Sequence, residues 1–301
     1  MSVSSDSLPL RHALLALAVT AVWGSNFVVI HVGLEHLPPL LFAALRFLFS
    51  LLPAVLLLPR PAVPWRNLAA YGMLVGAGQF GLLYIAMNGH ITPGLASLVV
   101  QTQVFFTIGL AMVLSGERVR PFQIVALLIT LGGLGIILVH TDSHTTPFGL
   151  ALVLLAAAAW AGSNIVVRAT PGVDMLAYVV WASLFAIPPL LATSLILEGW
   201  PAIRDGLAAA DAATWGAVAW QALGNTMFGY ASWGWLLSRY PVAAVAPMAL
   251  LVPVFGMGAS ALALGEPLDD WKLAAAGLVM TGLALNLLWP RVSARLRART
   301  V

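Results

Sequence analysis

The sequence predicts an all-α polytopic membrane protein with ten transmembrane helices, arranged as two inverted five-helix repeats around a central cavity. Three observations predict it: an apolar composition, ten long apolar runs, and a set of short motifs that occurs twice. Of 301 residues, 61% are hydrophobic and only 8% are charged, and mean hydropathy is +0.96. A soluble domain is about a quarter charged, so most of this chain must be solvated by lipid. The chain has no cysteine, which excludes a disulfide framework, a thiolate metal site and a thiol nucleophile. The formal charge of +3 does not point to nucleic acid, because the basic residues are thinly spread and sort by membrane side.

A helix needs roughly 20 apolar residues to cross the hydrocarbon core. With Pro, Gly and charge clusters as punctuation, the runs fall at 12–32, 38–58, 66–88, 93–114, 120–139, 147–168, 173–197, 212–238, 241–264 and 270–289. The first run continues past the length of a signal-peptide core and closes on no small-x-small site, so it is expected to be an uncleaved helix. Connections are short, the longest running from Glu198 to Asp211. The runs are continuous, whereas barrel strands alternate over about ten residues.

Cations set the orientation. With the N-terminus inside, the inner segments hold Arg11, Arg60, Arg66, Arg118, Arg120, Arg168, Arg239, Arg291, Arg295, Arg297 and Arg299. The outer segments hold only Arg204 and Lys272. Both termini are therefore expected in the cytoplasm of a bacterium, with the chain in its inner membrane. The asymmetry depends on an even number of spans and so supports ten.

The chain repeats itself. Gly24-Ser25-Asn26-Phe27-Val28-Val29 in span 1 returns as Gly162-Ser163-Asn164-Ile165-Val166-Val167 in span 6, each just after a tryptophan, Trp23 or Trp160. Gly116-Glu117 closes span 4 and Gly265-Glu266 closes span 9; Pro93 and Pro241 open those spans; Gly133 in span 5 matches Gly282 in span 10. Four coincidences in order argue for two copies of a five-helix unit, residues 1–140 and 141–301, the second ending in a basic cytoplasmic tail. Five is odd, so the second copy enters the membrane upside down. The residues after the Gly-Glu pairs agree: Arg118 and Arg120 on the inner side, Asp269 and Asp270 on the outer. Inverted repeats are a recurring architecture of secondary transporters, with the site near the midplane.

The paired five-helix units, Trp23-Gly24-Ser25-Asn26, Ala44-Leu45-Arg46-Phe47 and the two Gly-Glu helix ends resemble the drug/metabolite transporter superfamily, EamA type, over essentially the whole chain. Within it the chain is similar to the YddG-type amino-acid exporters. The resemblance implies a ten-helix basket with a central cavity. It also implies export of amino acids and related metabolites, aromatic ones included.

Charge at membrane depth is costly and by default functional. The acids Asp6, Glu35, Glu117, Asp142, Asp174, Glu198, Asp205, Asp211, Glu266, Asp269 and Asp270 all fall at expected termini, loops or helix ends. The absence of a mid-membrane carboxylate favours uncoupled transport over a proton-coupled efflux carrier, and disfavours polycationic substrates. Arg46 alone carries charge at depth. It is either a carboxylate-binding group or a structural residue, and the usual neutralisation of a permanent charge by a fixed partner favours the second role. Trp23 and Trp160 lie mid-helix rather than in the interfacial belts, as packing residues or as aromatic walls. Asn26, Gln79, Tyr84, Gln101, Asn164, Asn225 and Tyr230 are the other candidates for substrate binding. Gln101 is preferred to Gln103, since the two point about 200° apart and only one is expected to face the cavity.

Gly72-x-x-x-Gly76, and Gly256 with Gly258, permit close helix contact. Pro53 and Pro189 are candidate hinges. The histidines His31, His36, His90, His140 and His144 read as interfacial residues. No phosphate loop, His-Glu-x-x-His motif or nucleophile elbow occurs. The alternatives from other classes, an intramembrane enzyme or a channel, would need paired central acids or a continuous polar stripe. No cofactor or metal is called for. The expected partners are a small-molecule substrate and the lipid bilayer, with the protein a monomer or weak homo-oligomer.

Overall fold

Prolines fix most helix starts. Pro39, Pro93, Pro121 and Pro147 each occupy the first helical turn, where the missing N–H leaves no bond unmade and the fixed φ suits the helix. The computed structural model describes residues 8–115, 118 and 120–299, and among these every regular element is helical. Among the described residues nine helices are long and apolar enough to cross a membrane: α1 (Leu10–Leu34), α2 (Pro39–Leu57), α3 (Trp65–Met87), α4 (Pro93–Leu114), α5 (Pro121–Val139), α6 (Pro147–Arg168), α7 (Met175–Ala209), α9 (Ala246–Leu264) and α10 (Asp270–Pro290). Between α7 and α9 lies α8, helical without interruption over 212–239. Its length matches the others, but Gln221, Asn225, Thr226, Tyr230 and Ser232 lower its hydropathy. The helices match the ten expected runs, with ends shifted by a few residues.

Three boundaries differ from expectation. The 198–211 connection is not a loop, because Gly199–Ala209 is helical. The chain turns at Gly199 with φ 83°, a conformation open to glycine, and Ile203 and Gly206 are buried. A Cβ at Gly206 would lie 2.7 Å from the His36 carbonyl, so this leg seats on the α1–α2 connection. The span expected at 241–264 is not one regular helix, since an α-helical turn, Val242–Val245, passes through a 3₁₀ stretch, Ala246–Leu251, before regular α-helix resumes at Val252. Finally, α10 stays helical to Arg299.

The irregular segments recur. Helix α3 widens to a π-helix at Leu74–Gly81 and α8 does so at Gln221–Phe228. Helix α4 tightens to 3₁₀ at Val100–Thr102, as α9 does at Ala246–Leu251. Such departures from α geometry concentrate at functional sites. The helix contacts are also reciprocal between the halves. Helix α1 packs on α8 and α9, α6 packs on α3 and α4, α2 packs on α7, and α5 on α10.

Lipid gives helices no hydrophobic drive to associate, so close approach at small residues matters. Gly72 and Gly76 of α3 lie against Ala182 and Ala186 of α7. Gly133 of α5 sits on Ala275 and Val279 of α10, and Gly282 of α10 sits on Ala126 and Thr130 of α5. Gly256 packs on Ser97 of α4, but Gly258 meets nothing within 4 Å. It faces a lateral apolar cavity of about 370 Å³ between α1 and α9, lined also by Val22, Ser25, Val254, Phe255 and Leu262.

Candidate functional site

Arg46 sits about 10 Å along α2 from its first residue at 1.5 Å per residue, and it is 1% exposed. Its Nη1 donates to the Gln221 Oε1 of α8 at 2.9 Å and to the Tyr84 hydroxyl of α3 at 3.3 Å. The guanidinium lies 3.5 Å from the centroid of Phe80, a cation–π contact that contributes about 2 kcal/mol when desolvated. Among the described residues, no carboxylate is within ion-pair distance of it. The fixed counter-ion expected for a structural arginine is missing. Arg46 Nε and Gln221 Nε2 are both buried without a hydrogen-bond partner. Each such donor costs about 1–3 kcal/mol.

The π segment of α8 places Gln221 against α2 and turns Asn225 toward α1. Trp23 donates its indole N–H to the Asn225 carbonyl at 3.2 Å. The Trp23 ring packs on Tyr230 and Trp233 at 5.8 and 5.2 Å between centroids. Tyr230 in turn lies beside Tyr71 of α3. Of the expected residues, Trp23, Tyr84, Asn225, Tyr230 and Arg46 thus share one connected neighbourhood. Asn26 is buried one turn from Trp23, and its Oδ1 is also unpaired. Gln79 is buried in the π segment of α3, next to Phe80.

A second polar group lies between α4 and α6. Asn164 donates to the Gln103 side-chain oxygen at 2.9 Å and to the Thr107 hydroxyl at 3.3 Å. Gln103, not Gln101, makes this contact. The 3₁₀ stretch at 100–102 retracts Gln101, which is 8% exposed. Trp160, one turn from Asn164, is half-buried and packs on the main apolar core.

The bundle has a basic end, carrying Arg60, Arg66, Arg120, Arg168 and Arg239, and an acidic end, carrying Glu35, Glu198, Asp211, Glu266 and Asp269. At the acidic end, α4 (Pro93–Val99) packs on α9 (Val252–Leu264), and Gly256 meets Ser97. Toward the basic end they part: Gln103–Ser115 packs on α6, and Ala246–Leu251 packs on α1 and α10. Trp23, Gln103, Trp160, Asn164 and Tyr230 are half-buried.

Two carboxylates close the acidic end. Glu198 accepts the backbone N–H of Leu40 at 2.6 Å and of Leu41 at 3.2 Å, capping α2. Glu266 caps α4 in the same way and also binds Lys272. Both caps use the free N–H groups and the positive pole of a helix start. Glu117, the repeat mate of Glu266, lies outside the described residues.

The two expected hinges are not alike. Pro53 does not kink a continuous helix, since regular helix stops at Leu51 and restarts at Ala54, and Pro53 is exposed. With no i−4 bond to maintain there, it ends a helix. Pro189 lies within Met175–Thr193 beside Pro188, one turn before a π segment, Ser194–Glu198. The histidines hold connections together: His36 Nδ1 meets Thr214 Oγ1 at 2.9 Å, and the His90 carbonyl accepts the Thr146 N–H at 2.8 Å.

Sequence reasoning missed Gln221, Phe80 and Tyr71. Gln221 left a trace, since it stands four residues before Asn225 in the least apolar span. Phe80 and Tyr71 carried no signal distinct from core aromatics.

Fold and site together define a multi-pass helical membrane protein whose central polar residues are gathered between two sets of helices. The model of the EamA-like transporter family matches this sequence twice, over residues 10–139 and 147–288, and the chain belongs to that family. Over 289 residues it is 40% identical to a probable amino-acid metabolite efflux pump of Salmonella typhimurium, covering 94% of this chain and 96% of the relative. A protein of the same description from Escherichia coli K12 is 39% identical, with 92% and 95% covered. The inner membrane transporter YedA of Escherichia coli K12 is 36% identical over 56% of this chain and 57% of its own. A solved crystal structure superimposes with a TM-score of 0.61 at 20% identity, covering 93% of this chain and 98% of that one. That likeness concerns the fold alone.

Proposed function

We propose that the protein exports amino acids and related metabolites across the bacterial inner membrane, by alternating access and without obligatory ion coupling. The arrangement of α4 and α9 carries this reading. The two helices close on each other at the acidic end and diverge at the basic end. With the basic end in the cytoplasm, the side that the cation asymmetry supports, that is the shape of a carrier loading from inside. The residues 1–140 and 141–301 then act as two inverted five-helix units rocking about the central site. The efflux-pump relatives support amino-acid metabolites as the cargo class.

Among the described residues, Glu35, Asp142, Asp174, Glu198, Asp211, Glu266, Asp269 and Asp270 lie at helix ends or connections, and Asp205 is exposed on the short helical leg Gly199–Ala209. A proton or sodium carrier needs a titratable or anionic group beside its substrate. The central groups here are amides, aromatic rings and one guanidinium, which suit a zwitterion moving down its own gradient.

Exchange in proteoliposomes tests the proposal. Vesicles are loaded with unlabelled phenylalanine, threonine or methionine, and labelled amino acid is added outside with no ion gradient. Accumulation above protein-free vesicles is expected. Uptake that requires an imposed proton gradient would favour a proton-coupled efflux carrier. No exchange of any amino acid by folded, inserted protein would remove the amino-acid reading.

A further inference from the structure

We propose that Arg46 and Gln221 form the subsite that takes the carboxylate of the transported molecule. This assignment rests on the carrier reading above and adds to it the substrate group that is recognised and the residues that recognise it.

The argument starts from what Arg46 lacks. A permanent cation that is 1% exposed needs compensation, and the protein supplies a phenol, an amide oxygen and two aromatic faces. All are neutral. The two unpaired polar groups of this pair, Arg46 Nε and Gln221 Nε2, are both donors. A pair that presents only donors and net positive charge is complementary to an acceptor-only anion. A carboxylate offers two such oxygens and fits the planar guanidinium edge.

The surroundings hold the pair in place before any ligand arrives. The Gln221 oxygen is occupied by Arg46, so its amide N–H₂ is left as the free end of the side chain. Ser50, one turn along α2, bonds Thr226 Oγ1, and Thr226 Oγ1 bonds the Gln221 carbonyl. The α2–α8 seam therefore fixes both donors. Phe80 stacks on the guanidinium from α3, leaving the edge rather than the face for a ligand.

One acceptor completes the set. Asn26 lies one turn from Trp23 along α1, and Gln221 lies about one turn from Asn225 along the π segment of α8. The Trp23–Asn225 hydrogen bond thus puts Asn26 and Gln221 at one level of two antiparallel helices. Asn26 Oδ1 is buried and unpaired. Donors on one side and an acceptor on the other suit a molecule with both carboxylate and ammonium.

The test is the preference for carboxylate over carboxamide. Full-length protein in nanodiscs is titrated with methionine, phenylalanine and threonine, and with the amide of each, followed by intrinsic tryptophan fluorescence. The wild type is expected to bind at least one acid roughly ten-fold or more tightly than its amide, as sites built around a polar group do. In Arg46→Met that ratio should fall to about one while the protein stays monodisperse. Arg46→Lys should keep a reduced preference, and Gln221→Met should lower it several-fold.

A wild type that binds no acid better than its amide would overturn the proposal. So would an unchanged ratio in Arg46→Met, or weakening of acid and amide alike, which marks a structural pillar. Should Arg46→Met not fold, an unchanged ratio in both Arg46→Lys and Gln221→Met has the same force. Exchange by the wild-type vesicles separates the two readings: a carboxylate preference without exchange of any amino acid keeps the subsite and removes the amino-acid cargo.

Discussion

The carboxylate of Glu266, at the end of α9, accepts the backbone N–H of Gly94 at the start of α4 at 3.0 Å. The same group accepts the Thr92 hydroxyl at 2.5 Å and the Ser260 hydroxyl, and lies 3.5 Å from Lys272 Nζ. One buried side chain thus satisfies a helix start, two hydroxyls and a cation, and it joins the two helices that diverge at the other end. Glu266→Ala leaves Lys272 buried without this partner, and losing one member of a buried pair costs about 3–5 kcal/mol. A marked fall in melting temperature is expected. Because the chain has no native cysteine, Gln101→Cys can report opening of the acidic end. Labelling of that single thiol by a membrane-impermeant reagent from outside should rise several-fold when Glu266→Ala is added. Unchanged labelling would show that the cap does not hold the end closed.

Below that cap, a Cβ on Gly256 would overlap Ser97 Oγ, and one on Gly24 would lie 2.5 Å from Phe255 Cβ and 2.6 Å from the Val252 carbonyl. Backbone is involved at Gly24, so rotamer changes cannot relieve it. Gly24→Ala should cost about 1–3 kcal/mol by overpacking and slow exchange by holding α1 and α9 apart. Gly258→Ala, with nothing within 4 Å, is the control and should leave melting temperature and exchange within error of wild type.

Much of this arrangement was legible in the chain, because lipid makes strict demands. Every span must be long and apolar, every connection short, and the cations must sort, so the spans could be counted from the apolar runs and the charges between them. Repeat-matched glycines also announced real contacts, as Gly133 and Gly282 show. Other features turn on local backbone geometry that periodicity does not carry. Helix α4 passes through a 3₁₀ stretch at 100–102 just before Gln103, which bonds Asn164, and Gln221, which bonds Arg46, opens the π segment at 221–228. A helical wheel assumes an unbroken α-helix and so does not carry these local changes of geometry in α4 and α8. Arg46 was located by its charge, but the lack of a counter-ion is a fact of three-dimensional neighbours.

Two surface carboxylates predict an acid limb of stability. The Thr214 backbone N–H, followed by its hydroxyl, holds Asp211 below the usual carboxylate range. The backbone N–H groups of Thr145 and His144 do the same for Asp142. A carboxyl whose folded pKa lies below its unfolded value of about 3.9 stabilises the fold above that value. The stabilisation is lost as pH falls through the folded pKa. Melting temperature should therefore decline below about pH 4. Asp211→Ala should flatten that decline and lower the plateau at neutral pH, whereas Asp211→Asn, still able to cap α8, should flatten the decline with a smaller loss of plateau. An acid limb of wild-type size in both variants would place its origin elsewhere.

The Trp23 indole joins α1 to α8 and crowds Gly229, where a Cβ would overlap Nε1. Trp23→Phe keeps an aromatic wall beside Tyr230 and Trp233 but removes the donor to the Asn225 carbonyl. The net loss should be about 0.5–1.5 kcal/mol, a shift of a few degrees in melting temperature. If the hydrogen bond also sets the level of Asn26 against Gln221, affinity should fall more than the melting temperature suggests. Gly229→Ala displaces the indole from the other side and should reproduce both effects, while Trp233→Phe should reproduce neither. Equal losses in Trp23→Phe and Trp233→Phe would mean that ring packing alone matters at this crossing, and that the hydrogen bond between the two helices does not position the site.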